Sequence, residues 1–233
     1  MSGGATAWLV VTVGIYLAAR AAYQRTRLAV FNPALLSIAA IIGLLTVTRT
    51  PYTQYNAGGQ LLSFWLGPAV VALGLPLARQ LATVRRNAVA IAAGLVAGAF
   101  VGILVAVTTA HLLGAAPLVV LSLAPRSATT PIAMAVTARL GGIPALSAVV
   151  SIVSGAIGGF VGVGLLRMAG VRSPLAIGLA LGGAAHGLGT ARAADEGHIE
   201  SASAGMAMGA VGVLTALLAP IIIAALRWFP RHP

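Results

Sequence analysis

The sequence predicts an all-α polytopic membrane protein, and its composition and hydrophobic pattern lead to that prediction. Of its 233 residues, 59 % are hydrophobic and 7 % are charged, whereas soluble domains carry about 25 % charged residues. A soluble fold with this composition would lack a polar surface. The hydrophobic residues also fall into runs close to the roughly 20 residues with which a helix crosses a bilayer.

Eight apolar segments predict about seven or eight transmembrane segments in a single transmembrane domain, residues 1–233. The first segment lacks a preceding basic stretch, so it is predicted to be a membrane helix and not a cleaved signal peptide. No polar run is long enough for a separate soluble domain. The segments cover residues 6–22, 33–49, 61–82, 87–113, 117–139, 143–168, 173–190 and 201–226.

The basic residues indicate the topology of the chain. All 14 are arginine, the formal net charge is +11, and many stand where apolar runs end. That placement is typical of cytoplasmic loops and lipid headgroup contact, so the lipid bilayer is expected as a partner and nucleic acid is not. We expect a multi-pass membrane protein with its N-terminus outside. The arginines that orient it are Arg20, Arg25 and Arg27 after the first segment, and Arg79, Arg85 and Arg86 after the third.

The fifth segment, 117–139, cannot form one unbroken helix. Pro125 and Pro131 both stand within it, and a proline removes a helix hydrogen bond and clashes with the preceding turn. The segment is therefore either a broken spanning helix or a re-entrant hairpin. Re-entry would place four later arginines in the cytoplasm, whereas spanning would place them outside. They are Arg167, Arg172, Arg227 and Arg231.

The polar residues at this break predict an anion site. Thr130 followed by Pro131 is typical of a helix start, with threonine as N-cap. The N–H groups of Ile132 and Ala133 would then point towards the break, where a helix N-terminus favours an anion. Further donors would come from Arg126, Ser127 and Thr129. The alternative is a proline kink with locally bonded hydroxyls and Arg126 reaching the membrane interface.

A second break is predicted near residues 186–190. "GLGT" offers flexible backbone with a helix start at Thr190, and Gly189 and Arg192 stand beside it. Arg192 in a first helical turn would indicate a nearby anion; the alternative is an i,i+4 ion pair with Glu196. His186 lies in a run of small apolar residues, where it is either a buried hydrogen-bond donor or a proton relay that titrates near neutrality.

A third, weaker interruption is "TPYTQYNAGGQ", residues 50–60. Asn56, Gly58 and Gly59 predict a turn, and their place before an apolar segment makes them a possible gate. An internal repeat is also predicted. Segments 32–45 and 173–189 share a polar-proline start, and Gly-rich segments follow each of them at a similar distance, at 63–77 and at 205–220.

Nothing in the sequence predicts an enzyme. It has no cysteine, no metal-ligand spacing such as HExxH and no carboxylate pair inside an apolar segment. "GGFVGVG" (158–164) lacks the preceding strand that a dinucleotide site requires. No cofactor and no metal are therefore expected.

Several motifs, in order, resemble the LrgB family of bacterial membrane proteins, also called the CidB/LrgB or antiholin-like family. They are "RSATTPIAMAV…LGGIPALSAV" (126–149), "SPLAIGLALGGAAHGLGTARA" (173–193), "GMAMGAVGVLTALLAPII" (205–222) and "YNAGGQLLSFWLGPAVVALGLPL" (55–77). The resemblance covers about residues 30–225. Arg126 stands where lysine is common in the family, Ala128 where valine is common, and "AAHGLGT" lacks the usual serine before His186.

The resemblance implies two functions. One is transport of small monocarboxylates such as glycolate, glycerate, pyruvate or lactate, as in the related plastidal glycolate/glycerate translocator. The other is antiholin-like control of murein hydrolase activity and autolysis with a small holin-like partner of the LrgA/CidA type. For transport, we expect the breaks to hold the anion, with proton coupling through His186. A homo-oligomer, such as a dimer, is also expected.

Overall fold

The computed structural model describes residues 3–26, 33–65 and 85–226. Every element in these ranges is a helix, as the sequence predicts, and none is a strand. Four helices are long and apolar enough to cross a membrane: Gly4–Thr26, Ala88–Leu112, Pro144–Met168 and His198–Leu226. The chain is a helical membrane protein. Some residues named in the sequence predictions lie outside the described ranges. They are residues 66–82 of the third apolar segment, most of the repeat segment 63–77, and the arginines Arg27, Arg79, Arg227 and Arg231.

The chain forms two compact units, Met1–Ala72 and Leu73–Pro233. The first contains α1 (Gly3–Thr26), α2 (Pro33–Val47) and α3 (Tyr52–Phe64). The turn predicted at Asn56, Gly58 and Gly59 is wrong, because all three lie inside α3. A Cβ on Gly58 would lie 2.6 Å from the Ala5 carbonyl oxygen of α1. The close packing of α1 and α3 therefore overrides the local turn preference.

Residues 85–226, the described part of the second unit, form three full-length helices and two interrupted segments. The full-length helices are α4 (Ala88–Leu112), α7 (Pro144–Met168) and α9 (His198–Leu226). The first interrupted segment is α5 (Pro117–Leu123) followed by α6 (Thr130–Leu140), and the second is α8 (Pro174–Glu196). Helices α4 and α9 run parallel, since Ile91 and Leu95 pack with Ala207 and Val211, and Ile103 and Val107 pack further along with Ala219 and Ile222.

The first interrupted segment breaks where the prolines predict, and it folds back on itself. A straight helix would separate Ser122 from Ile143 by about 30 Å, at 1.5 Å per residue. Instead, the Ile143 N–H donates a hydrogen bond of 2.7 Å to Ser122 Oγ. Helix α6 therefore runs back alongside the break, residues 124–129, and its C-terminal end lies beside α5. We call residues 117–140 hairpin 1.

The second interrupted segment also folds back, at His186. This residue has φ 40° and ψ −124°, a backbone conformation that residues other than glycine rarely adopt. Gly189 packs so closely on Leu181 that a Cβ would collide with its carbonyl oxygen, although a straight helix would separate the two by about 12 Å. The returning arm brings Glu196 to within 2.6 Å of Arg167, at the end of α7. We call residues 174–196 hairpin 2.

The two hairpins enter the unit from opposite ends. Asn87 and Ser173 line one cavity, so the start of α4 and the end of α7 share an end of the unit, which we call the basic end. Hairpin 2 starts and finishes there, whereas hairpin 1 starts and finishes at the end shared by Leu112 and Pro144. Because hairpin 2 does not cross, α9 runs away from the basic end and finishes opposite Arg167. The re-entrant alternative predicted that the last apolar segment ends on the same side as Arg167, and this is wrong because hairpin 2 also re-enters.

Small residues allow the arms of the hairpins to pack closely on neighbouring helices. Gly182 of hairpin 2 approaches α9 so closely that a Cβ would lie 2.6 Å from Ala204 Cα. Gly187 of the same hairpin has no such neighbour within 4 Å. Close approach of helices at small residues replaces the hydrophobic driving force that is missing between helices in lipid.

We therefore predict different effects of alanine at these two glycines. Gly182→Ala should lower the free energy of unfolding by about 1–3 kcal/mol, because the added methyl overpacks the contact with α9. Gly187→Ala should leave it unchanged or raise it by up to about 1 kcal/mol through helix propensity. Thermal unfolding of the purified variants in detergent measures both. Equal midpoints would contradict the close packing of hairpin 2 on α9.

Candidate anion site between the two hairpins

The tips of the two hairpins meet at neighbouring residues of α7. From hairpin 1, Arg126 Nη1 donates a hydrogen bond of 3.0 Å to Ser154 Oγ. From hairpin 2, His186 Nε2 lies 2.8 Å from the Ser151 carbonyl oxygen. Ser151 and Ser154 are one helical turn apart, and both lie well inside α7, away from its ends. The two breaks, which are distant in sequence, therefore converge near the middle of α7.

Glycine makes room for each tip. A Cβ on Gly102 of α4 would lie 3.3 Å from Ser127 Oγ, and one on Gly155 of α7 would lie 2.8 Å from His186 Nε2. His186 is 5 % exposed, so its imidazole fills the space that Gly155 leaves. The positions of both tips thus depend on backbone that carries no side chain.

A cavity of about 580 Å³ leads from the basic end to the tip of hairpin 1. It lies between α4 and the first arm of hairpin 2 and extends from Asn87 to Gly102, about 22 Å along α4. Its walls are mostly glycine, alanine, leucine and isoleucine. Among the described residues that line it, only Arg126 is charged, and Ser127 stands beside it. The cavity therefore offers one positive charge at the inner end of a neutral, largely apolar space.

The remaining residues predicted at hairpin 1 lie at the start of α6 and do not line this cavity. Thr129, and not Thr130, is the N-cap, and its side chain makes no capping hydrogen bond. The Ala133 N–H, predicted to face the break, donates instead to the Thr129 carbonyl oxygen at 2.8 Å. The helix starts one residue earlier than predicted because Pro131 also fits the second helical position. Pro131 is exposed.

The residues predicted at hairpin 2 have local partners. Thr190 is not a helix start, since its hydroxyl donates to the His186 carbonyl oxygen at 2.8 Å from within the returning arm. Gly189 is the contact with Leu181. Arg192 forms the ion pair that was the alternative prediction: Nη2 lies 2.5 Å from Glu196 Oε1, and Nη1 lies 3.8 Å from Asp195. His186 and the tip of hairpin 1 contact neighbouring residues of α7. Arg192 instead lies near the C-terminal end of hairpin 2, beside Glu196.

Ser151 and Ser154 were not among the residues predicted from the sequence. The signal was present, because Ser147, Ser151 and Ser154 stand at helical spacing in an otherwise apolar segment and share one face of a helix. In a membrane helix such a polar face indicates contact with polar groups of other elements.

Comparison with known proteins identifies the family. The model of the LrgB-like family matches residues 12–225. The chain belongs to the LrgB family. Relatives include an uncharacterized protein of Bacillus subtilis, YwbG, 34 % identical over 92 % of this chain and 96 % of its own length. An uncharacterized Haemophilus influenzae protein is 33 % identical over 88 % of this chain and 89 % of its own.

The name of a third relative concerns cell lysis. A protein of Bacillus cereus named antiholin-like protein LrgB is 33 % identical over 83 % of this chain and 84 % of its own length. No solved structure matches the chain. The LrgB-family membership predicted from the motifs at 126–149 and 173–193 is confirmed.

The fit of His186 against Gly155 yields a prediction. Gly155→Ala should displace the imidazole and lower the unfolding midpoint in detergent, by about 2–4 °C for each kcal/mol lost. Overpacking of this kind costs about 1–3 kcal/mol. In the His186→Ala background, the same change should cost little, because the ring is gone.

Gly164→Ala is the matched control, since a Cβ at Gly164 of the same helix meets nothing within 4 Å. A Gly155→Ala effect that persists unchanged without the imidazole would contradict the placement of His186.

Proposed function

We propose that the chain carries small monocarboxylates across the bacterial inner membrane. The observation that supports this proposal is the cavity with Arg126 as its one charged lining residue among those described. A guanidinium can bind a carboxylate through two parallel hydrogen bonds. A second carboxylate on the ligand would find no further cation among the described lining residues, whereas a short apolar or hydroxylated tail would fit the neutral walls. The proposal therefore includes preference for monocarboxylates over dicarboxylates.

Arg126 is suited to hold an anion that must also be released. Its bond to Ser154 fixes the guanidinium from one side while leaving other N–H groups for a ligand. Ser127 adds a hydroxyl in the cavity, and Thr129 and Thr130 add hydroxyls at the start of α6. The N-terminus of α6 contributes a favourable dipole for an anion. We assign direct contact with the anion to Arg126 and Ser127, which line the cavity. Thr129 and Thr130 follow them in the chain outside the cavity lining and have a supporting role, as do Gly189, Thr190 and Arg192 in hairpin 2.

The orientation belongs to the same proposal. Arginine is concentrated at the basic end of the second unit, with Arg85, Arg86, Arg167, Arg172 and Arg192, whereas Arg139 lies at the other end among residues 85–226. By the positive-inside rule, the basic end faces the cytoplasm. Segments 117–139 and 173–190 would then be re-entrant hairpins, and the cavity at the basic end would open to the cytoplasm. The repeat predicted between segments 32–45 and 173–189 stays a prediction, and so does the gate at Asn56, Gly58 and Gly59.

Control of murein hydrolases with a holin-like partner is the second candidate. The name of the Bacillus cereus relative favours it, and no name among the relatives described above mentions a carboxylate. In this function, the chain would act through a small LrgA/CidA-like membrane protein, and its homo-oligomeric form would be part of that assembly. We propose neither enzymatic activity nor a cofactor for either function.

Uptake by the purified chain in proteoliposomes tests the first candidate. Radiolabelled glycolate, glycerate and pyruvate should enter, and dicarboxylates should compete poorly. Arg126→Gln should weaken binding of these acids about tenfold or more, since loss of a charged hydrogen-bond partner costs about 1.5–3 kcal/mol. Arg139→Gln is the control, because Arg139 is exposed and does not line the cavity.

A folded chain that neither binds nor moves any of these acids would overturn the transport proposal. If murein hydrolase activity in cells then changed only with the holin-like partner present, the regulatory candidate would stand.

Proton coupling through His186 yields a separate prediction. A proton carried with the anion makes uptake faster as the external pH falls, since protonation and anion binding favour each other. His186→Gln keeps a hydrogen-bond donor for the Ser151 carbonyl oxygen but does not titrate near neutrality. It should fold, by its unfolding midpoint in detergent, and should lose the pH dependence of uptake. A pH profile equal to that of the wild type would assign His186 a structural role alone.

A further inference from the structure

The second unit contains two copies of one architecture. Helices α4 and α7 are each 25 residues long, and each is followed by a glycine in the left-handed conformation, Gly114 (φ 74°) and Gly170 (φ 79°). A proline then starts each hairpin, Pro117 and Pro174. The returning arm begins at the same distance from that proline in both hairpins, directly after Thr129 and directly after His186, although the first arm of hairpin 1 already ends at Leu123. These pairs define a nearly constant offset between equivalent positions of the two copies.

The two copies run in opposite directions. Helix α4 leaves the basic end and its hairpin enters from the other end, whereas α7 returns to the basic end and its hairpin enters from there. Copies with opposite directions in a membrane are related by a twofold axis in the membrane plane, and such inverted repeats underlie alternating access in many secondary transporters.

Equivalent pairs of positions are in contact between α7 and hairpin 1 but line an open cavity between α4 and hairpin 2. Between α7 and hairpin 1, Ser122 bonds to Ile143, and Arg126 bonds to Ser154. The equivalents of these two pairs are Leu179 with Asn87, and Gly183 with Gly98. All four of these equivalents line the cavity between α4 and hairpin 2. The interface between α7 and hairpin 1 is thus sealed, whereas the equivalent interface between α4 and hairpin 2 is open and forms the cavity walls.

Among the described residues, four buried hydroxyl groups lack a hydrogen-bond partner, those of Thr137, Ser147, Ser151 and Thr215, and the two serines belong to α7 on the sealed side. Ser147 and Ser151 of α7 are both 0 % exposed, and within the described part of the chain their Oγ atoms have no hydrogen-bond partner. Their equivalents in α4 are Ile91 and Leu95, which line the open cavity. Buried polar side chains without partners are rare in proteins. These serines gain partners if their face of α7 is exposed to water in another conformation.

We infer that the chain alternates between this conformation and a second one, in which the α4–hairpin 2 cavity is closed and a serine-lined cavity opens between α7 and hairpin 1. The second cavity leads to the end opposite the basic end, and Ser122, Ser147, Ser151 and Ser154 line it. Arg126 stands at the inner end of both cavities, so a bound anion gains access to either side in turn. The cargo rests on the proposed transport function, whereas the alternation itself does not.

Accessibility of single cysteines tests the inference, and the natural chain has no cysteine to interfere. In vesicles of known orientation, a membrane-impermeant cationic methanethiosulfonate reagent should label Gly98→Cys from the basic end only. It should label Ser151→Cys from the opposite end only. The control is Val153→Cys, whose parent residue lies on the outer face of α7 and is 50 % exposed. Facing lipid, this cysteine should be labelled from neither end.

Disulfide locks make the test directional. An Asn87→Cys/Leu179→Cys pair should oxidise when the α4–hairpin 2 cavity closes, because the equivalent pair, Ile143 and Ser122, is in hydrogen-bond contact in the closed interface. Oxidation should then raise the labelling rate of Ser151→Cys severalfold. The opposite lock, a Ser122→Cys/Ile143→Cys pair, should abolish that labelling. Unfolding midpoints of all variants in detergent confirm that they are folded.

Three outcomes would overturn the alternation: no disulfide between positions 87 and 179, no labelling of Ser151→Cys from the opposite end in any state, or equal labelling with both locks. Uptake measured on the same vesicles separates this inference from the transport proposal. Alternation without uptake of any monocarboxylate would overturn transport and leave the alternation standing. Uptake without alternation would do the reverse.

Discussion

The structure of the second unit depends on one constraint, that backbone polar groups at membrane depth must find partners inside the protein. An unsatisfied N–H or C=O in hydrocarbon costs several kcal/mol, so a broken helix is tolerated only where other elements enclose it. Here α4, α7 and α9 form that enclosure. Both breaks lie near the middle of α7, where Ser154 accepts from Arg126 and the Ser151 carbonyl oxygen meets His186.

The small residues follow from the same constraint. A hairpin places two arms in the space of one helix, so neighbouring backbones must approach closely. Gly182 against Ala204 and Gly155 against His186 are the clearest cases, and in lipid such packing also provides the attraction between helices. The abundance of glycine in the sequence therefore reflects the folded-back segments as much as ordinary helix packing.

The sequence predicted the breaks better than their consequences. Proline at 125 and 131 predicted the first break, and the polar residues after His186 predicted the second closely, because local chemistry determines where a helix can stop. For segment 117–139 the sequence left a re-entrant hairpin and a broken spanning helix open, and for the second break it predicted no reversal, because reversal of the chain is a tertiary property. It depends on Ser122 meeting Ile143 and on Arg167 meeting Glu196, contacts between residues far apart in the chain that leave no periodic pattern. The same holds for the α3 helix over Asn56 to Gly59, where packing of Gly58 on α1 outweighs turn propensity.

The two copies of the architecture differ at the site, because only one of them supplies a charged side chain. On the inferred repeat, Arg126 is equivalent to Gly183 and Ser127 to Ala184, so only one hairpin tip carries an arginine. A second arginine at Gly183 would line the same cavity as Arg126, and two like charges at low dielectric repel strongly. For the proposed transport of a monoanion, one cation near the centre suffices, because the anion would meet the same guanidinium from either cavity. The difference between the cavity walls, Ile91 and Leu95 on one side and Ser147 and Ser151 on the other, gives the two approaches different polarity. Binding from the two sides therefore differs in desolvation even though the charged partner is the same.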